Sequence, residues 1–372
     1  MGTSYDVAIA GGGIVGAACA EECAQSGLKV VVVEPGPIGG GATAAGMGHI
    51  VVMDDSPAQI ALTNYSRGLW MARAAALPAD VEYVAAGTLW VAADEEEMAE
   101  VRRKLDVYHS IGVRAEVLGE REIASAEPHL RPGLAGGLLV PDDAVIYPPC
   151  GARWMLEQAC KSGAVLRRER AESLDGKGIA LHDGTLLSAG ITVNATGAWA
   201  PELTPGIEVR RRKGHLVITD RYPGWVRHQL VELGYLKSAH STTEDSVAFN
   251  VQPRRTGQLL IGSSRQFGAE HSPIDHHMLT RMLRRAQEYM PGLADLSAIR
   301  TWTGFRAATP DKLPLIGPCP TDERLYLATG HEGLGITTSL ATGKLVADRI
   351  LHRTPAIAAE PYLPGRKQEA HG

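Results

Sequence analysis

Apolar residues open the chain in a short uninterrupted block, Val7–Ala10, and return in a second block, Val30–Val33, with a run of small residues between them. Blocks of this length bounded by glycine read as buried strands, and the segment between them reads as a helix ending near Gly27. Helical spacing recurs over 56–76, in Ile60, Leu62, Tyr65, Leu69 and Trp70, and over the charged segment 94–112. Strands are expected around Gly87 in 83–92 and at 136–140. A helix opened by Tyr147–Pro149 should run through Ser162. Residues 165–174, 179–181 and 186–188 read as a meander, and Ile191–Ala195 as a buried strand ending in Ala-Thr-Gly. From Arg210 to Gly268 the alternation HLVIT, VAFNVQP and QLLIGSS predicts antiparallel strands. A helix over 276–290, stopped by Pro291-Gly292, follows. The chain then closes as it opened, with a strand at 325–328, a glycine turn and a long helix to about His352.

The first turn carries the chemistry. Strand, Gly11-Gly12-Gly13-Ile14-Val15-Gly16, helix and second strand, with Glu34 closing that strand and Pro35 following it, place a GxGxxG fingerprint in its full context. The helix N-terminus offers N–H groups and a positive dipole end to a pyrophosphate, and Glu34 can accept hydrogen bonds from ribose hydroxyls. A carboxylate there disfavours a 2′-phosphate. The fingerprint alone leaves FAD and NAD both open. A second glycine run, Gly39-Gly40-Gly41-Ala42-Thr43-Ala44-Ala45-Gly46-Met47-Gly48, suits close backbone approach to a large flat ligand. A ligand site is also expected where Thr196 and Gly197 end a buried parallel strand.

With 372 residues, two domains are expected. Nucleotide-type segments at the start, middle and end predict one discontinuous domain over 1–80, 143–205 and 305–372. A substrate domain would be inserted as 81–142 and 206–304. The expected fold class is α/β: a Rossmann-like dinucleotide-binding domain, with an α+β substrate domain built on an antiparallel sheet. A net charge of -5 gives no basis for nucleic-acid binding. No stretch approaches the roughly 20 apolar residues of a membrane span, and the start lacks a targeting pattern, so a cytoplasmic location is expected. The five cysteines lack metal-site spacing, and Cys19 and Cys23 read as small buried hydrophobes, so no metal is expected. The tail from Thr354 reads as a surface extension, and Arg210–Lys213 as facing solvent or a partner.

Taken together, GGGIVG with Glu34, GGGATAAGMG, NATGAW, TGFRAATPDKLPLIG and ATGHEGLGITTS resemble the D-amino acid oxidase-like flavoproteins over nearly the whole chain. The resemblance implies FAD, held by a Rossmann-like FAD-binding domain of the glutathione-reductase type. It implies that Gly11, Gly13, Ile14, Val15 and Gly16 hold the pyrophosphate and that Glu34 and Pro35 lie at the adenosine ribose. Gly41, Ala42, Thr43, Ala45, Gly46 and Met47 should line the pyrophosphate and flavin edge. Thr196, Gly197 and Trp199 should lie near the cofactor's middle, and Gly330, His331, Gly333, Leu334, Gly335, Ile336 and Thr337 at the flavin's pyrimidine end. The sarcosine oxidase branch tethers its flavin through a cysteine that TGFRAATPD lacks, so non-covalent FAD is expected. Glu172 stands where the family offers adenine an apolar residue, which leaves that contact open.

The wording AAGMGHIVVMDDSPAQ, GSSRQFG and GHEGLGITTS is most similar to flavin subunits of multi-subunit dehydrogenases of the D-hydroxyproline and opine type. This implies a small amino or imino acid substrate and partner subunits carrying iron–sulfur clusters or a second flavin. Carboxylate capture suits a forked guanidinium. Arg306 is the first candidate, also within reach of the cofactor, and Arg265 is the second. The alternative for Arg306 is a structural pair with Asp311. His331 and His49 are candidates for tuning the flavin or taking the amine proton. Glu332 could orient His331 or cap the last helix, and Tyr235 and Asn250 could touch substrate. The expected activity is dehydrogenation of the Cα–N bond. An O2-dependent glycine or D-amino acid oxidase and a non-catalytic electron-relay subunit are the alternatives.

Overall fold

The β-branched blocks at the start of the chain are fully buried because they form the middle of a parallel sheet. In the computed structural model, which describes residues 4–234 and 245–367, strand Tyr5–Ala10 pairs in parallel with Val30–Val33 on one side and Leu186–Asn194 on the other. Val165–Arg167 extends the sheet beyond Val30–Val33, and Asp322–Thr329 extends it beyond Leu186–Asn194, both in parallel. Leu315–Cys319 closes that edge in antiparallel register. Helix Ile14–Gln25, rich in Ala and Cys, is buried between this sheet and helices Pro148–Lys161 and Gly335–Ile350. Small side chains allow that three-way packing. Burial pushes the thiol of Cys23 up to about 12 and that of Cys19 well above its ordinary value, so both act as inert packing groups.

Two expectations about this region change. Residues 165–174 are two strands rather than one arm of a meander. Val165–Arg167 joins the parallel sheet, and only Ala171–Asp175 pairs with Gly178–Leu181. The apolar segment 191–194 is continuous with 186–188, forming one nine-residue strand, Leu186–Asn194.

The second sheet runs in the order Ala298–Ala308, Arg210–Arg221, Gln258–Arg265, Ser246–Pro253, Gln229–Glu232, Thr88–Ala92, Gly136–Val140, Glu116–Gly119. Every pairing is antiparallel except Gln229–Glu232 with Thr88–Ala92. Leu89, Val91, Leu230, Phe249, Val251, Leu259 and Ile261 point to one face, where helix His276–Tyr289 covers them through Met282, Ala286 and Tyr289. Alternation then places Thr88, Trp90, Gln229, Val231, Asn250 and Gln252 on the opposite face. That face is buried yet mostly polar.

The tail is not a surface extension. Tyr362 is 1% exposed and donates its hydroxyl to the Ala58 carbonyl at 2.6 Å. Arg366 forks onto Asp311 at 2.7 and 2.9 Å and donates to the carbonyls of Leu313 and Pro314. Truncating one member of a buried pair strands the other. Arg366→Ala should therefore lower the stability measured by urea unfolding by about 3 kcal/mol. An exposed Arg353→Ala control should change it by under about 0.5 kcal/mol.

Candidate active site

At the carboxyl ends of the parallel strands lies a cavity of about 620 Å³, elongated from the first turn to the second sheet. Gly11, Gly13, Ile14 and Val15 form one end, with Glu34 and Pro35 beside them. The turn is fixed by sterics. A Cβ at Gly16 would sit 2.0 Å from the Gly11 carbonyl oxygen. Gly16 therefore serves packing and does not line the cavity. Glu34 braces the same turn, accepting from Gly12 N–H and Gly36 N–H, each at 2.8 Å. Thr43 Oγ1 accepts from Ile14 N–H at 3.0 Å, tying the second glycine run to the helix start.

Gly41, Ala42, Thr43, Ala45, Gly46 and Met47 continue the wall, and Thr196, Gly197 and Trp199 face it from the end of strand Leu186–Asn194. At the adenosine end Ala171 lines the cavity, while Glu172 pairs outside with exposed His182 at 3.1 Å. Glu172 itself does not line the cavity. The far end is made by His49, Arg306, His331, Gly333, Gly335 and Ile336. Gly330 and Thr337 do not reach the cavity. Thr337 instead accepts from Val51 N–H and donates to the His49 carbonyl, holding that segment in place.

A smaller chamber of about 100 Å³ adjoins this end and shares His49, Asn250, Glu332 and Gly333 with it. Arg265 and Leu334 belong to this chamber, together with Lys312, Thr88, Trp90 and Gln229. Thr88, Trp90 and Gln229 carry no sequence signal, because only strand pairing brings them together. Tyr235 lies outside the described residues.

Asp311 is held by Arg366. Arg306 Nη1 donates to the Ser264 carbonyl at 2.9 Å, and Gly214 on the adjacent strand leaves space for the guanidinium. A Cβ at that position would lie 2.5 Å from Nη1. Glu332 neither orients His331 nor caps the helix. It adopts φ 48, ion-pairs with Arg212 and lies 3.7 Å from Arg265. Burial alone would raise its carboxyl, but Arg265, Arg212, Arg306 and Lys312 hold it below the ordinary range. Four cations around one buried carboxylate leave the junction of the two cavities attractive to an anion. The run Arg210–Lys213 is correspondingly split. Arg212 and Lys213 are 6% and 5% exposed, Arg212 stacks over Phe267, and Lys213 donates to the Pro273 carbonyl.

The two histidines differ. Thr342 donates its hydroxyl to the Thr338 carbonyl, so His331 Nε2, 2.9 Å from Thr342 Oγ1, must be the donor. His331 is thereby oriented with Nδ1 as its acceptor, and burial lowers its pKa to about 3. Burial lowers His49 to about 4, with Gln252 acting the other way, and its Nε2 is buried without a protein partner.

A glycine-turn cavity at the switch between parallel strands, ending at an arginine cluster under a mixed sheet, defines a dinucleotide-binding protein. The chain belongs to the DAO family of FAD-dependent oxidoreductases, whose model matches residues 6–349. It is 29% identical over 376 residues to a glycine oxidase of Geobacillus kaustophilus, covering 96% of both chains. It is 27% identical to the hydrogen cyanide synthase subunit HcnC of Pseudomonas aeruginosa, covering 99% of this chain and 97% of that one. The crystal structure of glycine oxidase from Geobacillus kaustophilus superposes with a TM-score of 0.87 at 28% identity, covering 98% of this chain and 99% of that one. The protein is thus an FAD-dependent oxidoreductase. The residues fit the cofactor: the lining runs from the Gly11 turn to Ile336, small residues and a helix N-terminus stand at one end, and His49, whose Nε2 is buried without a protein partner, stands at the other.

Two outcomes follow. Gly16→Ala forces a methyl group into the Gly11 carbonyl, so the purified variant should lack most of its visible flavin absorbance. The unfolded chain binds a proton on His331 near 6.5, whereas the native chain resists until about 3. The unfolded state therefore carries more protons across that window, and stability falls as pH drops through it. Thermal unfolding followed from pH 6.5 to 3 should show a shallower acid loss for His331→Asn than for the wild type.

Proposed function

We propose that this chain dehydrogenates the Cα–N bond of a small D-configured or cyclic amino acid, D-hydroxyproline being the best candidate, with Arg306 as the carboxylate anchor. The observation that carries the reading is the placement of Arg306 where the flavin cavity meets the polar chamber, within a cation-rich junction. FAD, held without a covalent tether, supplies the acceptor for the hydride and its two electrons. No cysteine is among the residues that line either cavity, which supports that mode of binding.

The protein's part is orientation and charge. Arg306 clamps the carboxylate and so fixes the direction of Cα–H. His49, neutral through burial, offers Nε2 to an amine N–H and favours the uncharged amine whose lone pair assists hydride departure. His331 faces the last helix and acts through the cavity wall. Gly11, Gly13, Ile14, Val15 and Glu34 take the adenosine diphosphate end, and the turn from His331 to Ile336 takes the flavin end. Electrons then leave to partner subunits carrying iron–sulfur clusters or a second flavin, a reading supported by the likeness to a subunit of hydrogen cyanide synthase.

The glycine oxidase likeness favours one competing reading, direct use of O2. Anaerobic mixing with D-hydroxyproline or D-proline should bleach the flavin, and admitting air should restore it slowly. Reoxidation as fast as turnover would select the oxidase. Arg306→Ala should lose about 2–5 kcal/mol of transition-state binding in flavin-reduction kinetics, roughly thirty-fold or more in kcat/KM. Unaltered reduction kinetics would remove Arg306 from the carboxylate.

A further inference from the structure

Four buried polar atoms without a protein partner belong to residues that line the small chamber: His49 Nε2, Trp90 Nε1, Gln229 Oε1 and Asn250 Oδ1. Buried hydrogen-bonding groups are rarely left unmet, so such a concentration marks the place of something the protein binds. Gln229 is the most informative of the four because its orientation is fixed. Strand Gln229–Glu232 runs parallel to Thr88–Ala92, with Gln229 directly opposite Thr88. Thr88 donates its hydroxyl to Asp143 Oδ2 at 2.6 Å, and Asp143 is held in turn by Arg67 at 3.1 Å. The hydroxyl proton being committed, Thr88 Oγ1 can only accept, and it takes the amide N–H of Gln229. The Gln229 amide therefore cannot turn over without placing its oxygen against another oxygen. All three of Thr88, Gln229 and Asp143 are at most 1% exposed. The chain Arg67–Asp143–Thr88–Gln229 thus fixes the amide of Gln229, a residue that lines the chamber, with its N–H on Thr88 and its carbonyl oxygen turned away from Thr88.

We propose that Gln229 is a specificity-determining residue: its Oε1 accepts a hydrogen bond from a hydroxyl or N–H on the part of the substrate remote from the reacting C–N bond, and Thr88 is the positioning residue that fixes this polarity. The proposal rests on the reading of the larger cavity as the flavin site and the junction at Arg306 as the carboxylate site. It adds that the substrate carries a donor group on its side chain or ring. The chamber holds about 100 Å³, room for a substituent of a few heavy atoms. A site built around a buried acceptor discriminates strongly against an analogue that leaves the acceptor unmet.

The test compares ligand pairs that differ by one hydroxyl. In turnover, 4-hydroxy-D-proline should exceed D-proline in kcat/KM by about tenfold or more with wild-type protein. The same preference should appear without turnover. When the perturbed flavin spectrum is titrated with unreactive ring-oxygen analogues, 4-hydroxytetrahydrofuran-2-carboxylate should bind about tenfold more tightly than tetrahydrofuran-2-carboxylate. In Gln229→Met, of similar length but unable to accept in this way, both ratios should fall toward one. Thr88→Val should lower the ratio and Thr88→Ser should restore it, a pattern that a merely structural threonine would not produce. Wild-type ratios near one would overturn the proposal, as would a preference that survives in Gln229→Met. If no amine reduces the flavin, the dehydrogenase reading falls, while the unreactive pair still decides whether Gln229 reads a hydroxyl.

Discussion

Everything in this molecule hangs from the contact between Gly16 and the Gly11 carbonyl. It presses the start of the first helix against the turn that leaves the first strand, and Gly11 in turn abuts the Ala195 carbonyl at the end of the neighbouring strand. Three elements meet there at backbone distance, so no side chain intervenes to let them shift. The cavity floor is consequently made of main chain and is as rigid as the sheet itself. Glu34 and Thr43 then bind the surrounding loops to the same point through Gly12 N–H and Ile14 N–H. A flexible floor would have to be ordered by the ligand at an entropic cost, and this one is ordered beforehand.

The reactive end is organised by a different force. One carboxylate, Glu332, is surrounded by Arg212, Arg265, Arg306 and Lys312 from three strands and a loop. A buried cluster of like charges would push its members apart, and Glu332 relieves that repulsion while leaving an excess of positive charge. The left-handed backbone at Glu332 follows from aiming this side chain away from the last helix and into the cluster. The neutral histidines complement this arrangement, since neither His49 nor His331 adds charge where cations already crowd.

What the sequence revealed and what it hid divide along the range of the interactions. The strand–turn–helix units were legible because their signals are local: consecutive Val residues, spaced glycines, an acid at a strand end. Arg306, His49 and His331 were legible from motif context, although the roles of the two histidines separate only when Thr342 is seen opposite one of them. Thr88, Gln229 and Asp143 were invisible. They lie far apart in the chain and acquire meaning only through the parallel pairing of two otherwise ordinary strands. Arg212 was misread for the reverse reason. A run of four basic residues resembles a solvated face, yet within the sheet Arg212 is buried against Glu332 and Lys213 against the Pro273 carbonyl. The tail was misread because proline-rich polar composition describes an extended strap as well as it describes a loose end.

That strap reaches further than its position suggests. Arg366 grips Asp311 and the carbonyls of Leu313 and Pro314, and so clamps from outside the loop whose inner side chain, Lys312, lines the polar chamber. The loop holds Lys312 at φ 61, a conformation a free segment would leave. Arg366 therefore acts as a buttress for the pocket at a distance. Removing its guanidinium alters the pocket's electrostatics without touching a single residue that lines it.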